Sequence, residues 1–200
     1  MQIEQKRYIS PQYTRESFLR LNLTTTSNAE IWDRALNIFT DRIGGRFFNA
    51  INKLRCDENL NGFSIMALNC LLLETFYQFR EGLDETEGRN KERYAQFLKD
   101  EFGDIFPSEL NGKQFYSDIR CGILHSAQTK NKSRLTFGKC YAVDIDSSGV
   151  MLVDVGNFSK RMEGYYNNYL SRLRNPSEIT LRQHFIDKMN FICRINEGMK

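Results

Sequence analysis

A stretch of nearly continuous apolar residues, about Gly62 to Arg80, restricts the fold of this chain more than any other feature. Its apolar positions surround a helical wheel instead of forming one stripe, which is typical of a helix buried on several sides. One carboxylate, Glu74, lies in the middle of this stretch. Because an unpaired buried charge is strongly unfavourable, we expect Glu74 to be paired, protonated or facing a cleft. The sequence therefore predicts a helical domain built around this central helix.

Helical periodicity also marks the segments around the central helix. Apolar residues recur every three or four positions from Ile31 to Leu54, after a capping-box pattern in which Ser27 is the N-cap and Glu30 reaches back to it. A charged segment with a thin apolar side follows the central helix, and two amphipathic segments close the chain. These further helices are predicted at about 86–102, 115–125, 157–173 and 177–195.

A different pattern, with apolar and polar residues in alternation, lies before the last two helices. The segments Tyr141–Ile145 and Val150–Val155 flank a turn pattern at residues 146–149, which predicts a β-hairpin at about 138–155. Two strands alone are only marginally stable, so the hairpin must pack against helices.

We expect residues 1–26 to form an N-terminal arm. Residues 27–200 are predicted to form a single, mainly α-helical bundle with the hairpin inserted before its C-terminal helices.

Composition and short motifs favour a cytoplasmic protein without a cofactor. The five cysteines are an odd number and include no CxxC pair, which favours reduced thiols over a disulfide framework. The residues after Met1 are too polar for a signal peptide, and the longest near-apolar run, Ile65–Leu73, is too short to cross a bilayer. The two histidines are distant in sequence, and no HExxH spacing or glycine-rich dinucleotide fingerprint is present. We therefore expect no metal site, no cofactor and no membrane association.

The segment from Arg120 to Lys139 carries the side chains best suited to chemistry. His125 follows Arg120 by five positions on a predicted helix, and a helical wheel places it opposite the apolar stripe. Between Ile119 and Val143 no residue is acidic, and five are cationic: Arg120, Lys130, Lys132, Arg134 and Lys139. Such a local charge suits a phosphate-bearing partner. An imidazole transfers protons near neutral pH and a guanidinium holds phosphoryl oxygens, so the pair suffices for metal-independent cleavage of RNA by its own 2′-hydroxyl.

Simpler interpretations exist for the same residues. The lysines fit a solvated loop, and His125 fits a cationic residue that stabilises the end of a helix through the dipole. Cys121 and His125 stand one helical turn apart and are a conceivable nucleophile pair, although cysteine is usually buried. His184, on the last predicted helix, is assigned no role.

The segment Arg120-Cys121-Gly122-Ile123-Leu124-His125 resembles the R-x4-H signature of HEPN domains. This all-helical group is found in toxin–antitoxin, CRISPR-associated and other phage-defence ribonucleases. The apolar helix with Glu74 is similar to the central helix that precedes the motif helix in that family. The resemblance covers roughly Ile31 to Gln128 and leaves the hairpin and the last two helices unassigned.

The resemblance implies a metal-independent endoribonuclease, a toxin or defence effector whose products carry a 2′,3′-cyclic phosphate and a 5′-hydroxyl. It implies that His125 is the general acid or base and that Arg120 contacts the phosphate and the transition state. It also implies a homodimer in which the motif helices of two protomers meet around a shared cleft. Helix geometry agrees with a shared site. His125 lies about 7.5 Å along the helix axis from Arg120 and about 140° around it. One Arg–His pair should therefore not converge well on a single phosphate.

The remaining expectations concern supporting residues and partners. Gly122 either lets the backbones of two protomers approach closely or is a helix irregularity. Asp118 either orients the ring of His125 or is solvated, and solvation is favoured. Glu74 either pairs with Arg120 or takes a direct catalytic part. The predicted RNA contacts are Lys130, Lys132, Arg134 and Lys139.

RNA and a second copy of the chain are the expected partners, with an antitoxin or sensor protein as a further candidate. The alternative function is a non-catalytic HEPN-like module that binds a nucleotide, a nucleic acid or a protein. A third is a dimeric scaffold whose basic loop is incidental.

Overall fold

The computed structural model describes residues 7–86, 88 and 90–194. It is 67% helix and 6% strand, which confirms the predicted mainly α class. The helices within the described residues are α1 (Arg15–Leu19), α2 (Ala29–Ile43), α3 (Asn49–Leu54), α4 (Glu58–Glu81), α5 (Asn90–Glu101), α6 (Glu109–Gln114), α7 (Cys121–Ser126), α8 (Val155–Arg174) and α9 (Ile179–Arg194). Two π-helical segments, Gly44–Phe48 and Phe115–Arg120, and a 3-10 turn, Arg55–Asp57, join some of them. The strands are β1 (Arg134–Thr136), β2 (Val143–Ile145) and β3 (Met151–Asp154).

The chain forms two compact units. The terminal unit comprises the described residues within Met1–Ala50, Gln78–Glu85 and Asn167–Lys200, and the motif unit comprises those within Ile51–Tyr77 and Thr86–Tyr166. The predicted division into an arm at 1–26 and one domain at 27–200 stays a prediction. Residues 1–6 of that arm, residues 87 and 89 of the predicted charged helix and residue 195 of the predicted last helix lie outside the described residues.

Aromatic side chains fill the core of the terminal unit. The ring centroid of Phe39 on α2 lies 4.7 Å from that of Phe79 and 5.3 Å from that of Phe185. Helix α2 begins one residue later than predicted, because Asn28 is its N-cap and its side chain accepts a hydrogen bond from the backbone N–H of Ile31. The predicted capping box at Ser27 is therefore wrong.

Helix α9 supplies polar side chains that hydrogen-bond to backbone carbonyls at or just beyond the ends of other helices in the terminal unit. Arg182 donates to the carbonyls of Leu173 and Arg174 at the end of α8. His184, which had no predicted role, hydrogen-bonds through Nδ1 to the carbonyl of Arg80 at 2.6 Å. Lys188 is buried and donates to a carbonyl just beyond α4. Burial lowers the pKa of Lys188 to about 8, and the charge of Arg42 acts in the same direction, against the attraction of the neighbouring acids Asp84 and Glu85.

Helix α4 begins earlier than predicted and is not buried on every side. Its core side packs in the motif unit, where the ring of Phe76 stacks near Tyr166 with centroids 6.1 Å apart. On the opposite side Leu60, Phe63 and Leu71 are 83%, 40% and 44% exposed. The uniform apolar pattern of this helix therefore includes a solvent-facing apolar side.

The predicted hairpin is present, and a third strand extends it. Strands β2 and β3 pair antiparallel with Val143 opposite Val153, and Asp146 in the turn accepts hydrogen bonds from the N–H groups of Ser148 and Val150. Strand β1, which was not predicted, pairs parallel with β3 on its other edge. The sheet packs close to α4, since a Cβ on Gly62 would lie 2.7 Å from the ring of Phe137 just after β1.

Among the described residues, the helical run Ala29–Glu81 contains one 18-residue window of mean hydropathy 1.2, long and apolar enough by composition to cross a membrane. Half of that window is buried inside the protein.

Candidate functional site

The motif residues lie on a helix that changes its hydrogen-bonding pattern. Ser108 is the N-cap of α6, and its hydroxyl accepts from the N–H of Asn111. The helix continues through the π-helical segment Phe115–Arg120 into α7, which ends at Ala127 in the left-handed conformation with φ of 49°. A π turn closes i to i+5 hydrogen bonds and is often found at functional sites. A wheel with constant α-helical spacing therefore misplaces side chains in this segment.

Glu74 on α4 holds the guanidinium of Arg120. Arg120 Nη2 donates to Glu74 Oε2 at 2.7 Å, and the two side chains are 16% and 23% exposed. This contact confirms the predicted pairing of the two residues. Burial opposes the charge of Arg120, but the hydrogen bond and attraction from Glu74 outweigh it and raise the pKa of the guanidinium. Arg120 is thus a fixed cation whose orientation is set by Glu74.

His125 is exposed at the end of the same helix and meets Arg120 within one chain. Arg120 Nη1 lies 3.5 Å from His125 Nε2. The two side chains meet because the long side chain of Arg120 spans the distance between the two helix positions. The expectation that one pair does not converge well on a single phosphate stays a prediction. Because a guanidinium only donates, this contact is a hydrogen bond when Nε2 is unprotonated and Nδ1 carries the ring proton. Nε2 is then the ring atom able to accept a proton at the site.

Asp118 is buried, with an exposed fraction of 3%, whereas the sequence favoured a solvated side chain. Its carboxylate accepts hydrogen bonds from Asn131 Nδ2 at 2.7 Å and from Ser133 Oγ at 3.0 Å. Its backbone carbonyl accepts from the N–H of Lys130 at 2.9 Å. Residues 128–133 are called the basic loop here. Asp118 therefore anchors this loop to the helix that carries Arg120 and His125.

Gly122 allows the basic loop to approach the helix. A Cβ at this position would lie less than 3.0 Å from the carbonyl oxygen of Gln128 and 3.2 Å from the Cα of Thr129. The close backbone approach expected at Gly122 is thus made by a loop of the same chain. Asn131 and Lys132 have φ values of 50° and 64°, so the loop turns sharply through left-handed conformations.

The four predicted RNA contacts, Lys130, Lys132, Arg134 and Lys139, are all exposed. Lys130 and Lys132 belong to the basic loop anchored by Asp118. Arg134 is on β1, and the N–H of Lys139 donates to Asp154 Oδ2 at 2.8 Å. Within the part of the chain that the structure describes, Arg134 and Lys139 form no hydrogen bond or ion pair with Arg120 or His125. Among the predicted residues, Arg120 therefore contacts both Glu74 and His125, and Lys130 contacts Asp118 through its backbone N–H.

Two side-chain contacts of Arg120 were not predicted. The guanidinium carbon lies 5.2 Å from the centroid of the Tyr116 ring, and Nη1 lies 3.9 Å from Cys121 Sγ. Cys70 on α4 is fully buried, and burial raises the pKa of its thiol to about 12. Cys121 faces Arg120 instead of forming a pair with His125, and Cys70 is kept as a neutral thiol. The aromatic residue four positions before the arginine was visible in the sequence, but its contact with the arginine was not.

In the described residues no group of three His, Cys, Asp or Glu side chains is placed to hold a metal ion together. Comparison of the chain with protein-family models, curated proteins and solved structures found no match.

Proposed function

We propose that this chain is a cytoplasmic, metal-independent endoribonuclease of the HEPN type, acting as a toxin or a phage-defence effector. The proposal rests on the contacts of Arg120 with two side chains, Glu74 and His125. Glu74 holds Arg120, and Arg120 Nη1 lies 3.5 Å from the exposed Nε2 of His125. A phosphate contact and a proton acceptor are thus adjacent within one chain.

The proposed reaction uses the 2′-hydroxyl of RNA as nucleophile. Arg120 donates to a non-bridging phosphoryl oxygen and stabilises the charge that builds up in the transition state. When Arg120 Nη1 turns from His125 Nε2 to the phosphoryl oxygen, the lone pair of Nε2 is freed. Nε2 then accepts the proton of the 2′-hydroxyl, whose oxygen forms a bond to phosphorus as the bond to the 5′-oxygen breaks. The departing 5′-oxygen takes a proton from a general acid. The products are a 2′,3′-cyclic phosphate and a 5′-hydroxyl.

A homodimer would supply that general acid. The exposed residues Leu60, Phe63 and Leu71 lie on one side of α4, and Glu74 follows Leu71 by one helical turn on the same side. Clustered exposed apolar residues next to a charged site are typical of a surface that another chain covers. A second copy related by a two-fold axis would bring its own His125 to the 5′-oxygen. The basic loop then extends the phosphate contacts along the RNA.

The decisive experiment is cleavage of labelled RNA in excess EDTA by the full chain. We expect Arg120→Ala and His125→Ala each to lower the rate by about a hundredfold or more, the usual contribution of a general acid–base group or a transition-state donor. Arg46→Ala, which removes an exposed arginine of the terminal unit, is the matched control and should keep full activity. Equal rates for all four proteins would remove these residues from the mechanism. Activity that disappears in EDTA and returns with a divalent metal would refute the metal-independent reaction.

A non-catalytic HEPN-like binding module is the second candidate. One observation favours it. Glu74 neutralises the charge of Arg120, and a purely structural ion pair would do the same. Binding of RNA or a nucleotide that is unchanged in His125→Ala, with no turnover by any variant, would establish this function in place of the nuclease.

A further inference from the structure

A cavity of about 340 Å³ lies in the terminal unit, beside α1 and α2. This volume falls in the range of small-molecule sites, roughly 300–1,000 Å³. Its lining combines two buried apolar side chains, Leu21 and Ile38, with the half-buried ring of Tyr13. One wall is therefore able to support the ring or carbon skeleton of an organic ligand.

The polar part of the lining is cationic. Arg20 and Arg34 both border the cavity and are exposed. Neither guanidinium forms a hydrogen bond or an ion pair with any described residue, in contrast to Arg120 and Arg174. None of the residues lining the cavity is acidic. Two unpaired guanidiniums at one small cavity are a suitable binding site for a phosphate group, whose oxygens accept paired N–H donors.

Glu16, in the first turn of α1, carries a carboxylate directly before the lining residue Ser17. Hydrogen bonds to its own backbone N–H and from Thr14 lower its pKa, with smaller contributions from the charges of Arg15 and Arg20. Glu16 therefore stays ionised and attracts Arg20 without lining the cavity. A bound anion would compete with this attraction.

We propose that this cavity binds a small organic phosphate, with its phosphate between Arg20 and Arg34 and its apolar part against Leu21 and Ile38. The site belongs to the terminal unit, whereas the residues of the proposed nuclease belong to the motif unit. The inference therefore does not rest on the proposed function.

The test is isothermal titration calorimetry on the full chain with phenyl phosphate, AMP and inorganic phosphate. Wild type should bind phenyl phosphate and AMP saturably with one site per chain, and inorganic phosphate more weakly because it lacks the apolar part. Arg34→Gln and Arg20→Gln should each weaken phenyl phosphate binding about tenfold, the loss expected for one charge-assisted contact. Glu16→Gln should strengthen it, because the competing carboxylate is gone.

Arg46→Gln, an exposed arginine outside the cavity lining, is the matched control and should bind as wild type does. Circular dichroism of each variant establishes that it is folded. Absence of saturable binding to wild type would overturn the proposal, as would equal weakening by Arg46→Gln. Inorganic phosphate binding as tightly as phenyl phosphate would overturn the assignment to an organic phosphate.

Discussion

Replacing Gly122 by alanine should destabilise the protein and displace the basic loop. The added Cβ would lie within 3.0 Å of the carbonyl oxygen of Gln128, 3.2 Å from the Cα of Thr129 and 3.3 Å from the backbone nitrogen of Lys130. All three neighbours are backbone atoms, which cannot rotate away as a flexible side chain can. The loop must therefore move as a unit.

The size of the effect follows from two opposing terms. Overpacking against backbone typically costs about 1–3 kcal/mol, and alanine in place of glycine within a helix returns roughly 0.5–1 kcal/mol. Movement of the loop also weakens the three hydrogen bonds by which Lys130, Asn131 and Ser133 hold to Asp118. We expect a net loss of about 1–2 kcal/mol in the free energy of unfolding.

Urea denaturation followed by circular dichroism measures this change, and α8 supplies the matched control. A Cβ on Gly164 would meet nothing within 4 Å, so Gly164→Ala should stabilise the protein by about 0.5–1 kcal/mol. The two glycine-to-alanine variants should thus shift the midpoint in opposite directions. If Gly122→Ala is as stable as wild type, the packing of the loop against the helix is wrong.

Two further predictions concern buried groups. The pKa of Lys188 is about 8 in the folded protein and about 10.4 in the unfolded chain. Between these pH values the unfolded state binds more protons than the folded state. The contribution of Lys188 to the free energy of unfolding therefore rises with pH. The unfolding free energy of wild type relative to Lys188→Met should therefore increase by an amount on the order of 1–3 kcal/mol from about pH 7 to about pH 10, and parallel curves would contradict the burial of this amine. In native protein pulsed with iodoacetamide, the exposed Cys56 and Cys140 should be alkylated first, while Cys70 and Cys193 react only after unfolding, because burial raises their thiol pKa values to about 12 and about 11. Peptide mass spectrometry measures the labelling, and modification of Cys70 in the folded protein would be inconsistent with this structure.

Features of the fold that arise from local patterns were predictable. The apolar stretch around Glu74 predicted the central helix, and the turn at residues 146–149 predicted the pairing of β2 with β3. Pairing of Glu74 with Arg120 was one of two expectations from the sequence, since a carboxylate on a buried helix needs a nearby cation and Arg120 belongs to the motif, and the structure shows this pair. Strand β1 was not predictable, because it has three residues and pairs in parallel with a strand that follows long after it.

The details of the site depend on geometry that a uniform helix does not contain. Solvation was expected for Asp118, but residues of the basic loop fold over it and bury it. A helical pattern alone contains no information about such a loop. The contact between Arg120 and His125 depends on the length of the arginine side chain, which a comparison of backbone positions does not include.

The central claim is that Arg120 and His125 promote attack by the 2′-hydroxyl of RNA. It is tested most directly with two matched oligonucleotides in excess EDTA, an RNA and the same RNA carrying a single 2′-deoxy nucleotide at the cleavage site, with products identified by mass spectrometry. Wild type should cleave the RNA to a 2′,3′-cyclic phosphate and leave the deoxy site intact. Cleavage at the deoxy site, or an RNA product without a cyclic phosphate, would contradict this mechanism.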